Sequence, residues 1–442
     1  MLLPTPQPSP HGRGSSLAAV EKASPLPQGE GQGEGSNLFY GLLIPDDFAA
    51  MKTLKVFLAF LHLGLVSFGG PIAHLGYYRA EFVNRRKWLS EEAYADIVAL
   101  AQFVPGPASS QTGFAIGVLR GGLPGGIAAW IGFTFPSACI MLLAAYGLQY
   151  AQGLLAQGAV HGLKLLAAGV VAQAVWSMGR SLCPDRLRAG FAFAIAAILI
   201  AIPNAQLQLA AIVLGAIFGF FFLRGKEQPH VAPLGVKTSR AAAWSAIFAY
   251  FLLLAALPVA AAVTQNGTIA LAEAFYRAGA LVFGGGHVVL PLLQETVVKP
   301  GWVPTGDFLA GYGAAQALPG PLFTFAAFLG AKASVGPGGA WGAVVAVIAI
   351  FLPGLLLVYG ALPFWDHLRV KGHARGALDG VNAAVVGILG AALYQPVWTS
   401  AVFSPLDAAL AILAFAALAL ARLPVLAVVL LAAAAGALEA IL

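Results

Sequence analysis

The feature that most constrains this chain is a set of glycine and proline breaks placed inside apolar sequence and present twice. The first copy reads Ser67-Phe68-Gly69-Gly70-Pro71, then Trp88, Gln102-Phe103-Val104-Pro105-Gly106-Pro107, Pro124-Gly125-Gly126 and Phe135-Pro136. The second reads Val282-Phe283-Gly284-Gly285-Gly286, then Trp302, Gln316-Ala317-Leu318-Pro319-Gly320-Pro321, Pro337-Gly338-Gly339 and Leu352-Pro353. Order and spacing are kept to within a few residues, so the module is duplicated. Proline removes a helical donor and clashes with the preceding turn. The backbone groups freed at such a break cannot face lipid and must be received by protein or water. Paired interruptions at matching places in two halves point to a binding site between them.

Composition fixes the solvent. Hydrophobic residues make up 59% of the chain and charged residues 10%, against roughly 25% charged in soluble domains. The expected fold is an all-α polytopic membrane protein. The basic balance, with a pI near 9.3, reads as loops that obey the positive-inside rule and not as a nucleic-acid surface. Cys139 and Cys183 have no metal-ligand spacing and form no disulfide framework, so neither a metal nor a cofactor is expected. No Gly-x-x-x-x-Gly-Lys-Ser/Thr loop is present, which leaves no phosphate cradle for ATP.

Residues 1–50 differ from the rest. Pro, Gly, Ser, Gln and Glu dominate, the segment cannot bury enough surface to fold, and it is expected to be a disordered extension. Met51 is a candidate start of the functional protein. From there the chain divides into a first repeat at 51–223, a linker at 224–263 with one transmembrane helix, and a second repeat at 264–442. Apolar segments fall near 54–78, 94–119, 124–147, 162–180, 190–203 and 207–223, then 242–263, then 269–293, 308–333, 337–363, 376–394, 407–421 and 424–441.

One unpaired span between two like sets predicts inverted repeats. Loop charge gives the same reading. The loop 147–161 has no Lys or Arg while its equivalent carries Arg369, Lys371 and Arg375; the loop 180–188 carries Arg180, Arg186 and Arg188 while 395–406 carries none. Full crossing by 54–78 would put Arg79, Arg85, Arg86 and Lys87 on the wrong side. Re-entrant hairpins turning at Gly69-Gly70-Pro71 and Pro105-Gly106-Pro107 keep them inside with Arg120. The other reading is a kinked full span at each place.

The candidate site residues lie at the breaks. Gly69, Gly70, Pro71, Gly284, Gly285 and Gly286 lack bulk or donors and let a ligand approach backbone N–H groups at a positive dipole end. Pro105, Gly106, Pro107, Pro319, Gly320 and Pro321 suit a first helical turn. Ser67, Gln102, Ser110, Gln316 and Thr324 are the side-chain donors at matching positions, with Ser109, Gln111 and Thr112 flanking. The plain alternatives are tight helix packing for the glycines and local bonding to the previous turn for the hydroxyls. Arg277 and His62 occupy one repeat position, and an intramembrane cation is functional by default. Glu273, four residues before Arg277, offers an ion pair instead. His62, His74 and His287 are candidates for proton coupling, against the reading of packed imidazoles. Lys164, Asp379 and Asn382 lie near segment ends, where they snorkel.

These motifs, with Trp88-Leu89 and Gly121-Gly122-Leu123-Pro124-Gly125-Gly126, resemble the chromate transporter family in its two-domain form, over nearly all of 51–442. The resemblance implies a multi-pass protein of the bacterial inner membrane that exports chromate from the cytoplasm, driven by membrane potential or proton exchange. It implies the Gly-Gly-Pro and Pro-Gly-Pro motifs as the transport positions. Gly286 stands where the first copy has Pro71, so the second break is expected to be looser. Expected partners are a small oxyanion, chromate or sulfate, and the lipid bilayer, with room for a homo-oligomer and none for nucleic acid. A sulfate or other oxyanion transporter is the nearest alternative, and an anion channel the next. An intramembrane enzyme lacks a Ser-His-Asp set, a His-Glu-x-x-His helix and a cysteine cluster.

Overall fold

The computed structural model describes residues 49–68, 70–148, 153–202, 205–223, 236, 238–283, 288–365 and 372–441. Of the extension 1–50 expected to be disordered, residues 1–48 lie outside these, as do the glycines Gly69, Gly284, Gly285 and Gly286, His287, and the loop cations Arg369 and Lys371, while Ala49 and Ala50 open the first helix. The described residues are helical throughout, with no strand.

In the first repeat the chain forms α1 (Ala49–Val66) and α2 (Gly70–Tyr78), which runs on as a π-turn over Arg79–Arg85. Then come α3 (Glu91–Phe103), α4 (Ala108–Leu148), α5 (Leu154–Leu182), α6 (Arg186–Ala201) and α7 (Ala205–Phe222). The linker is α8 (Arg240–Thr264), an apolar 25-residue helix that packs on the second repeat. The second repeat gives α9 (Gly267–Ala280), α10 (Val289–Leu293) with a π-turn over Gln294–Val298, α11 (Thr305–Gln316) and α12 (Phe325–Lys332). It ends with α13 (Gly339–Ala361), α14 (Gly372–Ala392), α15 (Pro405–Ala419) and α16 (Val425–Glu439). Side-chain caps start several of these: Ser90 accepts from Ala93 N, Ser239 from Ala242 N, Asn266 from Thr268 N, and Ser404 forms a capping box with Asp407.

The breaks fold the chain back on itself. Phe60 of α1 lies with its ring 5.5 Å from Tyr78 and 4.8 Å from Phe82, although about 20 residues of continuous helix would hold them roughly 30 Å apart. Likewise Arg120, near the far end of the leg that follows Pro107, stacks 5.3 Å over Trp88, which precedes α3. Both expected hairpins are therefore hairpins and not kinked spans. A third reversal sits inside α4, where Gly121 (φ −136°, ψ 19°) and Gly122 (φ 65°, ψ −161°) leave helical geometry. A side chain on Gly117 would strike the Gly125 carbonyl, so two helical legs lie face to face with no room between them. In the second repeat Gly330 and Gly342 make the same contact between α12 and α13. Small residues admit such close backbone approach.

The two repeats exchange their last helices. The long α5 of the first repeat packs on α15 and α16 of the second, and α14 of the second packs on α6 and α7 of the first. Glycines mark each seam: Gly158 against Gly436 and Gly162 against Ala432, Gly376 against Gly219 and Gly380 against Gly215. Each seam carries a polar pair at equivalent places, His161 with Asp407 at 2.6 Å and Arg188 with Asp379 at 3.1 Å. Asp379, expected to snorkel, is thus engaged with the other repeat. Reciprocal contact of this kind is the signature of a two-fold relation.

Among the described residues five stretches are long and apolar enough to cross a membrane: 108–147, 154–182, 240–264, 339–364 and 375–401. The first of these is folded at Gly121–Gly122. The helices α15 and α16, expected as full spans, have 15 residues each, or about 22 Å by the helical rise. That is short of a hydrocarbon core of roughly 30 Å, and the turn between them lies against the middle of α5.

Candidate functional site

The four hairpin tips meet at the centre, and they meet across the repeats. Gly106 of the first Pro-Gly-Pro donates its N–H to the carbonyl of Val282, just before the second glycine break, at 2.7 Å. Gly320 of the second Pro-Gly-Pro donates to the carbonyl of Ser67, just before the first glycine break, at 2.9 Å. Ser67 and Val282 are equivalent positions, so the two bonds are one contact made twice. Both glycines need their lack of a side chain: φ is +135° at Gly106 and +92° at Gly320. A Cβ on Gly106 would come within 2.9 Å of the Gly354 backbone, and one on Gly320 within 2.7 Å of Ser137 Oγ. Gly354 and Ser137 are themselves equivalent, each following a mid-helix proline.

Buried polar atoms gather around these tips. Gln111 Nε2 donates to Pro105 O at 2.8 Å and to Gly354 O at 3.1 Å, which ties the first Pro-Gly-Pro to α13. His74 Nε2 faces Ser67 O at 3.2 Å. The hydroxyls of Ser67, Ser110, Thr112 and Thr134, the Gln111 Oε1 and the His74 Nδ1 are buried and have no protein partner. Buried polar groups are normally satisfied in more than nine cases of ten, so this concentration marks a place built to receive something polar. Thr324, by contrast, spends its hydroxyl on Pro321 O at 2.8 Å, the local bond that competes with a ligand role.

A polar cavity of about 220 Å³ opens beside the tips, lined by Gly70, Val170, Gln173, Gln316, Leu418, Arg422, Leu423 and Val425. At about 30 Å³ of liquid volume per water it has room for several water-sized groups. Gly70 is at φ +77°, and nothing lies within 4 Å of the place its Cβ would take. Gln316 Nε2 is buried, with the Tyr312 hydroxyl as its side-chain neighbour. Two larger cavities, of about 300 and 310 Å³, are lined almost wholly by apolar side chains, among them Trp176, Trp398, Phe135 and Ile131. Those offer an oxyanion no comparable set of donors.

Other expected residues lie apart. Gln102, the positional twin of Gln316, is exposed on α3, and His62 is exposed on α1. Arg277 pairs with Glu273 at 2.7 Å and borders a separate small pocket with Gln208, Glu295 and Thr296. Pro71, Pro105 and Pro107 flank the tips as expected, and Pro319 and Pro321 do so in the second repeat. The residues that sequence reasoning missed are Gln173 and Arg422. The only signal was the shortness of the two segments either side of Arg422. Sequence reasoning also missed the gathering of His161, Asp407 and Glu439, whose ligand atoms lie within 4.8 Å of one another. There the second Asp407 oxygen accepts from Phe403 N and Ser404 N and so caps α15.

Comparison with known proteins gives one family. The chromate transporter family matches residues 54–220 and again 269–437. A chromate transport protein of Pseudomonas aeruginosa is 30% identical over 77% of this chain and 80% of its own length. A probable chromate transport protein of Synechococcus elongatus is 29% identical over 76% of this chain and 82% of its own. An uncharacterized transporter of Methanocaldococcus jannaschii is 24% identical over 76% of this chain. No solved structure matches. With both repeats matched and the motif residues at the tips of the two hairpin pairs, the chain belongs to the chromate transporter family.

Proposed function

We propose that this protein is a carrier that exports chromate from the cytoplasm across the bacterial inner membrane, with the anion held at the junction of the four hairpin tips. The observation that carries this reading is the reciprocal pair Gly106–Val282 and Gly320–Ser67. It brings helix N-termini of the two repeats and the unpartnered hydroxyls of the first to one place, and N-termini favour anions without a formal charge. Within this reading Ser67, Gly70 and Ser110 bind through N–H and O–H groups, Gly69 and Gly284–Gly286 belong to the same motifs, and His74, with Nε2 3.2 Å from Ser67 O, is the described histidine beside the site.

Inverted repeats belong to the same proposal. The hairpin ends of the first repeat bring together Arg79, Arg85, Arg86, Lys87 and Arg120, whereas those of the second hold Lys299 and Lys332, each paired with a carboxylate. By the positive-inside rule this bias supports opposite faces for the two ends. Export needs no nucleotide: at 100 mV, negative inside, expulsion of a dianion gains about 4.6 kcal/mol, twice the single-charge value. Inside-out vesicles test the reading. Labelled chromate should enter saturably, faster with an inside-positive potential, and with weak competition by sulfate. Strong competition would make sulfate the substrate, potential-independent entry would indicate electroneutral exchange, and unsaturable entry a channel.

A further inference from the structure

We infer that Arg422 supplies the formal positive charge that captures the oxyanion, with Gln173 and Gln316 as side-chain donors beside it at the mouth of the central cavity. This rests on the carrier reading and names a residue that neither the repeat motifs nor the family resemblance assigns.

Four observations carry it. First, position: α15 and α16 have 15 residues each, too few to cross a bilayer, and the turn that joins them leaves Arg422 exposed. It shares the cavity with Val170 and Gln173, near the midpoint of the 29-residue α5. A cation at that depth is costly unless it lines a polar pathway. Second, backbone: Arg422 sits at φ +53°, just past a helix C-terminus, where glycine is the usual occupant. The turn is fixed on both sides, by Ala421 N donating to Ala416 O at 3.0 Å and Leu423 N donating to Ala417 O at 2.9 Å. A side chain retained at a left-handed position is opposed by backbone sterics, so the arginine is not there for the turn.

Third, charge: Arg422 makes no ion pair with any described residue, a state it shares with Arg120, Arg180, Arg186, Arg240 and Arg375, but of these it alone lines the polar cavity. Its guanidinium keeps its donors for a ligand. Fourth, other donors line the same cavity: Gln316, whose buried Nε2 has only the Tyr312 hydroxyl for company, and the N-terminus of α2 at Gly70, which faces open space. A planar guanidinium together with amide and backbone donors suits a tetrahedral dianion, which takes two parallel N–H bonds from arginine.

The backbone supplies the control. Arg422→Gly removes the charge while placing the preferred residue in the left-handed turn, so the full-length variant should be as heat-stable as the parent or more so. Its half-saturating chromate concentration in vesicles should nevertheless rise at least about tenfold, the scale of losing a hydrogen bond to a charged group. Arg422→Lys should recover part of that loss, and Arg180→Gln, a cation stacked on Trp176 at the end of α5, should change nothing. Unchanged half-saturation in a stable Arg422→Gly protein overturns the inference while leaving the carrier reading intact. If the parent moves no chromate, the carrier reading fails. Equilibrium dialysis of chromate and of sulfate against purified parent and Arg422→Gly then decides the inference alone, and equal binding or none by both proteins overturns it.

Discussion

The two repeats share a backbone and differ in what they hang on it. At the hairpin ends, Lys87 (φ +51°) and Gly301 (φ +82°) turn the chain at the same position, each next to a tryptophan. Glu81 pairs with Arg85 in one, and Glu295 with Lys299 in the other. Yet the first end adds Arg86, which also reaches Glu81, and carries Lys87, while the second balances each lysine with a carboxylate. At the tips the contrast is of polarity. Ser67, Gln111, Thr112, Thr134 and Ser137 in the first repeat face Val282, Phe325, Ala326, Phe351 and Gly354 at the equivalent places in the second. Duplication preserved the positive-φ glycines that geometry demands. Side chains that decide membrane orientation and ligand chemistry were free to diverge, and the first repeat holds most of the donors while the second packs around them.

The largest effect is all-or-none. Asn84→Cys and Ser334→Cys, both exposed at the two hairpin ends, should label from opposite faces with an impermeant thiol reagent once Cys139 and Cys183 are replaced by serine. Labelling from one face removes the inversion. Next, Gly106→Val and Gly320→Val should each cut chromate flux by more than about tenfold at normal protein level. Each meets backbone strain on the order of 1–3 kcal/mol and a clash at the tip. A collapse in only one of them would show that the tips are unequal in spite of their geometry. Smallest, Ser67→Ala and Ser110→Ala should lower flux roughly three- to tenfold, as expected for one lost hydrogen bond of about 1 kcal/mol. Thr324→Val, whose hydroxyl is already bonded locally, should change it less than about twofold on the same scale. Equal effects on both sides would spread the donors over the two repeats.

Much of this was legible in the chain because breaks in apolar sequence have few physical outcomes. Gly69-Gly70-Pro71 and Pro105-Gly106-Pro107 cannot sit in a straight span, and the cations at 79–87 reject a full crossing, so the hairpins followed. What the sequence could not display is which tip touches which. Nothing in Val282 or Ser67 announces that its carbonyl accepts from a glycine of the other copy. Gln102 and Gln316 are indistinguishable by position, yet one is exposed and the other lines the cavity. Arg277 looked like the intramembrane cation, and its charge is met by Glu273 one turn away. Arg422 looked like a loop residue, because hydropathy counts apolar length and does not register that two 15-residue helices end partway across.

The exchange of terminal helices bears on how such a protein can be divided. Cut in the connection before α8, the polypeptide would give a front piece whose α5 seam is bare and a back piece whose α14 seam is bare. Each bare seam is a line of glycines that matches only the helices on the other piece. Neither piece would then be a smaller transporter. Expressed together from separate messages they have a defined way to find each other, and expressed singly each would have to borrow the missing helices from a second copy of itself.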